Sequence, residues 1–403
     1  IGLEENYNYR MKMKEWFSTN FKGDPILWIV LVLLALGSLL AVYSTTGGYS
    51  QIGNSHGANN EYFLFKQLAF LIVGVVLAYL CHLAKYSKYS AIALPFLFIS
   101  IMLLVLVLFF GIEVNGAKRW LPLPFVGLTI QPADIAKLAL MVYLARTISG
   151  SQTKIKNDIS VFWSLLIPTL LVCILILPNN LSTAALLFAT SIIVMFVGRI
   201  PLKYIGSIFA IGTTMFLIVF IIGYYLPTAT RAHTWSERIS TFMGDEESFQ
   251  SKQAHIAIAN GGIIGTGPGN SMQRNFLPYA HADFIYAIIC EEFGLLGAAG
   301  VMGIYLLMLY RCIRLVKKSP KTFGAMLAIG LCINIVIQAY ANIMVNVGLI
   351  PDTGVTLPII SLGGTSLIFT CISFGIILSV SRYIESRDEA ASAVQVNNEL
   401  QTA

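Results

Sequence analysis

Apolar residues along this chain come in long unbroken runs rather than in stripes. Runs of about 18 residues or more, the length needed to cross a hydrocarbon core of roughly 30 Å, alternate with short polar joints. Within each run the apolar residues cover all sides of a helix, as in membrane spans and unlike surface amphipathic helices. The pattern predicts an all-α polytopic membrane protein of ten transmembrane helices, at about 27–45, 62–84, 90–112, 132–149, 160–177, 181–199, 204–226, 284–311, 322–348 and 358–381. An even number of spans places both termini on one side.

Composition agrees. Of 403 residues, 56% are hydrophobic and only 11% are charged, where a soluble domain carries roughly 25% charged residues. Most of the 26 lysines and arginines fall on the side shared by the termini, which the positive-inside rule makes the cytoplasmic side. No soluble domain exists to carry a basic face, so nucleic acid is excluded as a partner. The six cysteines lie in or at the ends of predicted spans and form no disulfide framework or CxxC metal site. The first 26 residues are polar and the first span is too long for a signal h-region, so no cleavable signal is expected. The chain opens on Ile1 rather than Met, so Ile1–Arg10 need not be the native start. Three regions are expected: a cytoplasmic tail over 1–26, a transmembrane catalytic domain over 27–383, and a polar, disordered cytoplasmic tail over 384–403.

The unusual material lies outside. Loop 46–61 is rich in Gly, Ser and Asn, and loop 113–131 contains Asn115-Gly116-Ala117-Lys118-Arg119-Trp120. Loop 227–283 is about 55 residues long against a usual connection of about 4–6. It holds Trp235, Phe242, Phe249, Phe276 and an apolar run over 255–264, enough for short helices at the membrane interface. Loop 349–357 is short and stiffened by Pro351, Gly354 and Pro358.

Glycines occupy 261, 262, 265, 267 and 269, ahead of Asn270-Ser271. No Gly-Lys-Ser/Thr ending and no preceding strand support a nucleotide-phosphate loop. Either a flexible hinge or close backbone approach to a ligand or helix accounts for them. Asp283 stands where the loop enters a span, with Phe284, Ile285 and Tyr286 following. A carboxylate there is partly desolvated and its pKa rises unless a cation is near; a helix N-cap is the plainer role. Asp134 and Lys137 share one face of the fourth span, as an internal ion pair or as cavity groups, since a lysine within a span faces protein or water. Of the neighbouring Glu291 and Glu292, at most one can point at a cavity. Asn342 and Asn346, one turn apart, suit interhelical hydrogen bonding. Arg119-Trp120 suits either an aromatic belt with a snorkelling cation or a phosphate or sugar contact. His56, His233, His255 and His281 lack ligand spacing, so no zinc site is expected.

These segments, in this order, resemble the SEDS family (shape, elongation, division and sporulation), and its division branch most. The resemblance is carried by residues 115–120, Gln131-Pro132-Ala133-Asp134 with Lys137, the glycine segment to Ser271, Leu277-Pro278 to His281-Ala282-Asp283, Glu291-Glu292-Phe293-Gly294, and Gly348 through Pro351-Asp352-Thr353-Gly354 to Ser361-Leu362-Gly363-Gly364-Thr365-Ser366. It covers about 27–383. Three departures stand out: Pro132-Ala133-Asp134 for Pro-Ser-Glu, Asn179-Asn180 for Pro-Asp, and Tyr279 for the Glu after Leu-Pro.

The resemblance implies a ten-helix fold with a large fourth external loop and peptidoglycan glycosyltransfer from lipid II, at the division septum of the bacterial inner membrane. It implies a class B penicillin-binding transpeptidase of the FtsI type as partner, with other division proteins. Asp283 and Lys137 are then the catalytic candidates. Arg119, Trp120, Lys118, Asp134, Gly267, Gly269, Ser271, Glu292 and Asn342 are the candidate substrate contacts. Inversion at the donor sugar needs a base for the acceptor 4-hydroxyl and stabilisation of the departing pyrophosphate. Asp283 suits the first, with Lys137 holding its charge. Arg119 or a divalent cation, magnesium or manganese, suits the second, and no nucleotide is required. Two alternatives are a flippase or transporter for the same lipid, and a non-catalytic scaffold that activates the transpeptidase.

Overall fold

The computed structural model describes residues 22–47, 60–114, 116–122, 129–155, 158–225, 238, 240–244, 248–278 and 280–402. His56, Asn115, His233, Trp235 and Tyr279, all singled out above, lie outside the described residues, as does residues 1–21 of the amino-terminal tail. Long helices dominate: α1 (Pro25–Thr46), α2 (Asn60–Leu83), α3 (Ser87–Phe110), α4 (Pro132–Gly150), α5 (Ile159–Ile176), α6 (Leu181–Val197) and α7 (Leu202–Tyr225). A shorter helix α8 (Phe249–Gly261) precedes α9 (Ile285–Lys318), α10 (Thr322–Asn346) and α11 (Thr365–Thr402).

Seven of the described helices are long and apolar enough to cross a membrane: α1, α2, α3, α5, α9, α10 and α11. Helix α6 is apolar but short, and α4 carries Asp134, Lys137 and Arg146. Asp134, which is buried, and Lys137 mark α4 as a helix with a face turned to a polar interior rather than lipid, while Arg146 is exposed near its other end. Helix α10 is the hub of the bundle, packed against α4, α6, α9 and α11. Large apolar side chains on α3, such as Phe98, Phe109 and Phe110, point outward, as expected where the solvent is hydrocarbon.

Local chemistry sets where the helices start. Asp24 caps α1 by accepting from the Ile26 amide at 2.9 Å, ahead of Pro25. Asn180 caps α6 by accepting from the Thr183 amide at 3.1 Å. At its other oxygen Asp24 accepts from Arg311 Nε on α9 at 2.7 Å, and its amide donates to Ser381 Oγ on α11 at 2.7 Å. Asp24→Ala therefore removes a cap and leaves a mostly buried guanidinium without its carboxylate. The expected result is a loss of roughly 3–5 kcal/mol, read as a lowered melting temperature of the detergent-solubilised protein.

Three expectations are corrected here. The carboxy-terminal tail is not disordered, because α11 continues to Thr402. Its extension is held by Glu385, which accepts from the Gly23 amide, and by Glu389, 3.1 Å from Lys22. These carboxylates lie one turn apart and meet the same incoming strand. The fold is not purely helical either: β1 (Ile112–Val114), β2 (Ala117–Pro122) and β3 (Thr129–Ile130) form a small antiparallel sheet in the order β1-β2-β3. Ile112 sits opposite Trp120 and Leu121 opposite Ile130, β-branched and aromatic pairs that favour a ladder.

Helix α9 is not one continuous helix. Gly294 adopts φ 63, ψ −160 and breaks it. In hydrocarbon the freed backbone groups need partners inside the protein, and the glycine segment supplies them. The amides of Thr266 and Gly267 donate to the carbonyls of Glu291 and Glu292 at 2.9 and 3.0 Å, and the Leu295 amide donates to the Gly262 carbonyl at 2.9 Å.

Candidate active site

A cavity of about 410 Å3 opens among α4, α6, α10, strand β2 and the segments around 283, 355 and 364. Its lining includes Lys66, Arg119, Lys137, Asp134 and Asp283, together with Trp120, Asn180, Asn334, Gln338 and Gly354. Three cations against two carboxylates leave the cavity with an excess of positive charge, suited to an anionic ligand.

Asp283 enters the cavity from the turn that leads into α9. It is not a helix cap: Phe284 holds the N-cap position, and no side chain caps this helix. The Asp283 backbone is clamped instead. Asn342 Nδ2 donates to its carbonyl at 2.7 Å and Asn346 Nδ2 at 3.1 Å. Asn346 Oδ1 also accepts from the Ala287 amide at 3.1 Å, a first-turn donor of α9 that it shares with the Phe284 carbonyl. Burial pushes the Asp283 carboxyl up to about 6, while the guanidinium groups of Arg119 and Arg238 pull it down and Asp352 pushes it up. Burial wins because it disfavours the charged form more than two partly solvated cations favour it.

Lys137 is engaged by its own helix. Its ammonium lies 2.7 Å from Asp134 Oδ1, the pair lying three residues apart on α4, and donates to Gln338 Oε1 at 3.2 Å. The expectation that Lys137 holds the charge of Asp283 is therefore corrected: the cations that act on Asp283 are Arg119 and Arg238. Arg119 is oriented by a 2.7 Å hydrogen bond from Nε to the Asn179 carbonyl, just ahead of the Asn180 cap. Arg238 donates to the Asp352 carbonyl at 2.9 Å. The Asp352 carboxylate in turn accepts from Ser248 and Ser251 at the start of α8, at 2.8 and 3.0 Å. Loop 351–357 is thereby tied to α8.

The structure thus brings together Asp283, Lys137, Asp134, Arg119 and Trp120, and places the other candidates elsewhere. Lys118 is exposed on β2 opposite Glu113. Asn342 reaches the cavity only through the backbone of Asp283 and through Val355, whose carbonyl it meets at 2.7 Å. Gly267, Gly269, Ser271 and Glu292 do not line the cavity. Both glutamates are buried and face the glycine segment rather than a ligand: Glu291 accepts from Ser271 Oγ and from the Met272 and Gln273 amides at 3.2 and 3.3 Å. Glu292 accepts from Ser44 Oγ on α1 and from the Ser271 amide at 3.4 Å. The glycines permit close approach, but to the broken helix: a Cβ on Gly265 would lie 2.1 Å from the Glu292 carbonyl oxygen.

Lys66, Arg238 and Gln338 are site residues that sequence patterns did not single out, and Asn180, noted only as a departure from the family pattern, also lines the cavity. Lys66 had a signal, since it lies inside a span as Lys137 does. Gln338 had another, being four residues before Asn342 and eight before Asn346 on one helix. Arg238 had none.

The chain is similar to known proteins along most of its length. Residues 24–386 match the family described as cell cycle protein, FtsW/RodA/SpoVE. A curated relative from Trichlorobacter lovleyi, named probable peptidoglycan glycosyltransferase FtsW, is 33% identical over 367 residues, covering 89% of this chain and 93% of its own. The protein of the same name from Geobacter metallireducens is 31% identical, covering 93% of this chain and 98% of its own. Among solved structures, the rod-shape-determining protein RodA of Thermus thermophilus superposes with a TM-score of 0.65 at 25% identity, over 89% of this chain and 97% of its own. A chain of a peptidoglycan synthase complex that coordinates polymerisation and crosslinking superposes with a TM-score of 0.70 at 24% identity, over 90% of this chain and 98% of its own.

Proposed function

The chain belongs to the FtsW/RodA/SpoVE family of cell-cycle proteins, and from that premise we propose that it polymerises lipid II into glycan strands with Asp283 as the general base. It is a multi-pass membrane enzyme and a peptidoglycan glycosyltransferase, as its curated relatives are named. The observation that carries the assignment of the base is the carboxyl of Asp283, raised to about 6 at the wall of a positively charged cavity. A base is most useful when its pKa lies near the working pH, since it is then ionised yet still basic enough to take a proton.

In this reaction the acceptor 4-hydroxyl attacks the donor anomeric carbon from the face opposite the diphosphate. The new bond to oxygen forms as the bond to the diphosphate breaks, so the α-linked donor gives a β-linked product. Asp283 takes the hydroxyl proton. Arg119, held by the Asn179 carbonyl, and Lys137, held by Asp134, meet the negative charge that grows on the departing diphosphate. Magnesium binds through one or two carboxylates with substrate phosphates completing its shell. Asp134, whose Oδ2 is buried without a hydrogen-bond partner, is the residue that would hold such an ion and let it neutralise diphosphate charge. Trp120 offers a flat apolar face for a sugar ring at the mouth.

In the membrane, α1–α7 and α9–α11 each cross once, with both tails, 1–26 and 384–403, cytoplasmic and the loop 227–283 outside. The cavity then opens at the outer leaflet, where lipid II is presented. The basic joints between spans support this orientation. The division septum of the inner membrane is the place of action, beside a class B transpeptidase.

The test uses purified protein with that transpeptidase, its crosslinking blocked, and labelled lipid II. A ladder of glycan strands on a gel is the expected product. Lipid II transfer across vesicles without polymer would identify a flippase. Neither activity, with stimulation of the transpeptidase alone, would identify a scaffold.

A further inference from the structure

Four amide side chains stand at four-residue intervals on α10: Asn334, Gln338, Asn342 and Asn346. Residues at that spacing lie one above another on a helix face, drifting slowly around it. The two nearest the outer end clamp the backbone of Asp283, as described above. Gln338, one turn further in, grips different partners with its two ends. Its Oε1 accepts from the Lys137 ammonium at 3.2 Å, and its Nε2 donates to the Thr356 carbonyl at 3.1 Å. Thr356 lies in the loop that carries Gly354, where a Cβ would sit 3.6 Å from Asp283 Oδ2.

An ammonium has three N–H donors and no acceptor. Asp134 Oδ1 takes one at 2.7 Å and Gln338 takes another. With two donors fixed in direction, the third has one direction left to it, and Lys137 lines the cavity. Gln338 is uncharged, so it orients the cation without neutralising it.

The geometry points to Gln338 as a positioning residue that aims the free N–H of Lys137 into the cavity and ties that cation to the loop beside Asp283. The inference rests on the glycosyltransfer reading above and deepens it. Gln338 touches no reacting atom in this account and acts only through Lys137.

The experiment compares Gln338→Met, which keeps length and loses both hydrogen bonds, with Gln338→Glu, which keeps the acceptor facing Lys137. Initial rates of lipid II consumption give kcat and KM, and a thermal melt checks folding. Misplacement of a positioned charge by about 1 Å can cost up to roughly 100-fold. Gln338→Met is expected to lower kcat by about 10-fold or more with KM changed less than about 3-fold, whereas Gln338→Glu recovers most of kcat. Adding Gln338→Met to Lys137→Met should slow the enzyme by less than about 2-fold beyond Lys137→Met alone, since both remove one function.

Wild-type kcat in a folded Gln338→Met would overturn the inference. So would a folded Gln338→Glu variant as slow as Gln338→Met, a contrast that decides the matter where Lys137→Met alone is too slow to measure; where Gln338→Met does not fold, a folded Gln338→Glu with kcat lowered by about 10-fold or more would overturn it. Additive losses in the double variant would overturn it as well. Polymerisation retained by Asp283→Asn would instead overturn the choice of base and leave the contrast at Gln338 as it stands.

Discussion

Replacement of Asp283 by asparagine is expected to slow glycan polymerisation by roughly 100- to 10,000-fold, the contribution of a positioned general base. The substitution keeps size and shape and removes only the ability to take a proton. Folding should survive, because the clamp from Asn342 and Asn346 is made to the Asp283 carbonyl and not to its side chain. Removing a carboxylate that burial disfavours also relieves a desolvation cost. The prediction is therefore a protein that melts no lower than the unaltered one, retains lipid II, and yields almost no polymer. A rate within about 3-fold of the unaltered enzyme would show that another group accepts the proton.

The second large effect is structural. Gly265→Ala places a Cβ at φ +93, a conformation that side chains rarely adopt, and 2.1 Å from the Glu292 carbonyl oxygen. The obstacle is backbone, so no rotamer change relieves it. Strain at such a position costs about 1–3 kcal/mol, and the clash must further displace residues 262–267 from the break in α9. Those residues satisfy the freed groups of Glu291, Glu292 and Leu295, which have no water to turn to inside a bilayer. A loss of more than about 3 kcal/mol is expected, visible as a collapsed melting temperature or as protein missing from the membrane fraction. Gly262→Ala is a useful comparison: it shares a positive φ of +52 but meets nothing within 4 Å, so it should lose only the conformational part.

The two variants mark what the sequence made legible. A carboxylate at the head of an apolar span and a lysine inside one are visible from hydropathy, because their cost in a membrane demands a reason. Asp283 and Lys137 were therefore recognisable, and the structure sets both on one cavity. The Asp134–Lys137 pair was legible as well, being three residues apart on one helix, but partners on other elements were not, since that pairing depends on how helices face one another. Lys137 turned to Asp134 and Gln338, and Asp283 was left to Arg119 and to Arg238, which lies between α7 and α8.

The glycine segment shows a different limit. Glycines at 261, 265 and 267 announce that something approaches closely, but not whether it is ligand or protein. The answer depended on the break at Gly294, one more glycine in an apolar run until its φ of 63 is known. Ser271 and Glu292 followed the same course: their pairing is real, but it builds the joint between α1, α9 and the loop. The helical tail was missed because its stability comes from Lys22 and Gly23, some 360 residues away in sequence, and not from its own apolar pattern.

The central claim, that Asp283 takes the acceptor proton within a positively charged outer cavity, is tested most directly by the pH dependence of kcat/KM for lipid II polymerisation. A carboxyl raised to about 6 is protonated and unable to act below that pH, so the rate should fall about tenfold for each unit of acidification. Ionisation above it should give a plateau toward neutrality. The account predicts an acid limb bending near pH 6 that is absent from the residual activity of Asp283→Asn. A limb near the ordinary carboxyl value of about 4, or the same limb persisting in Asp283→Asn, would contradict it.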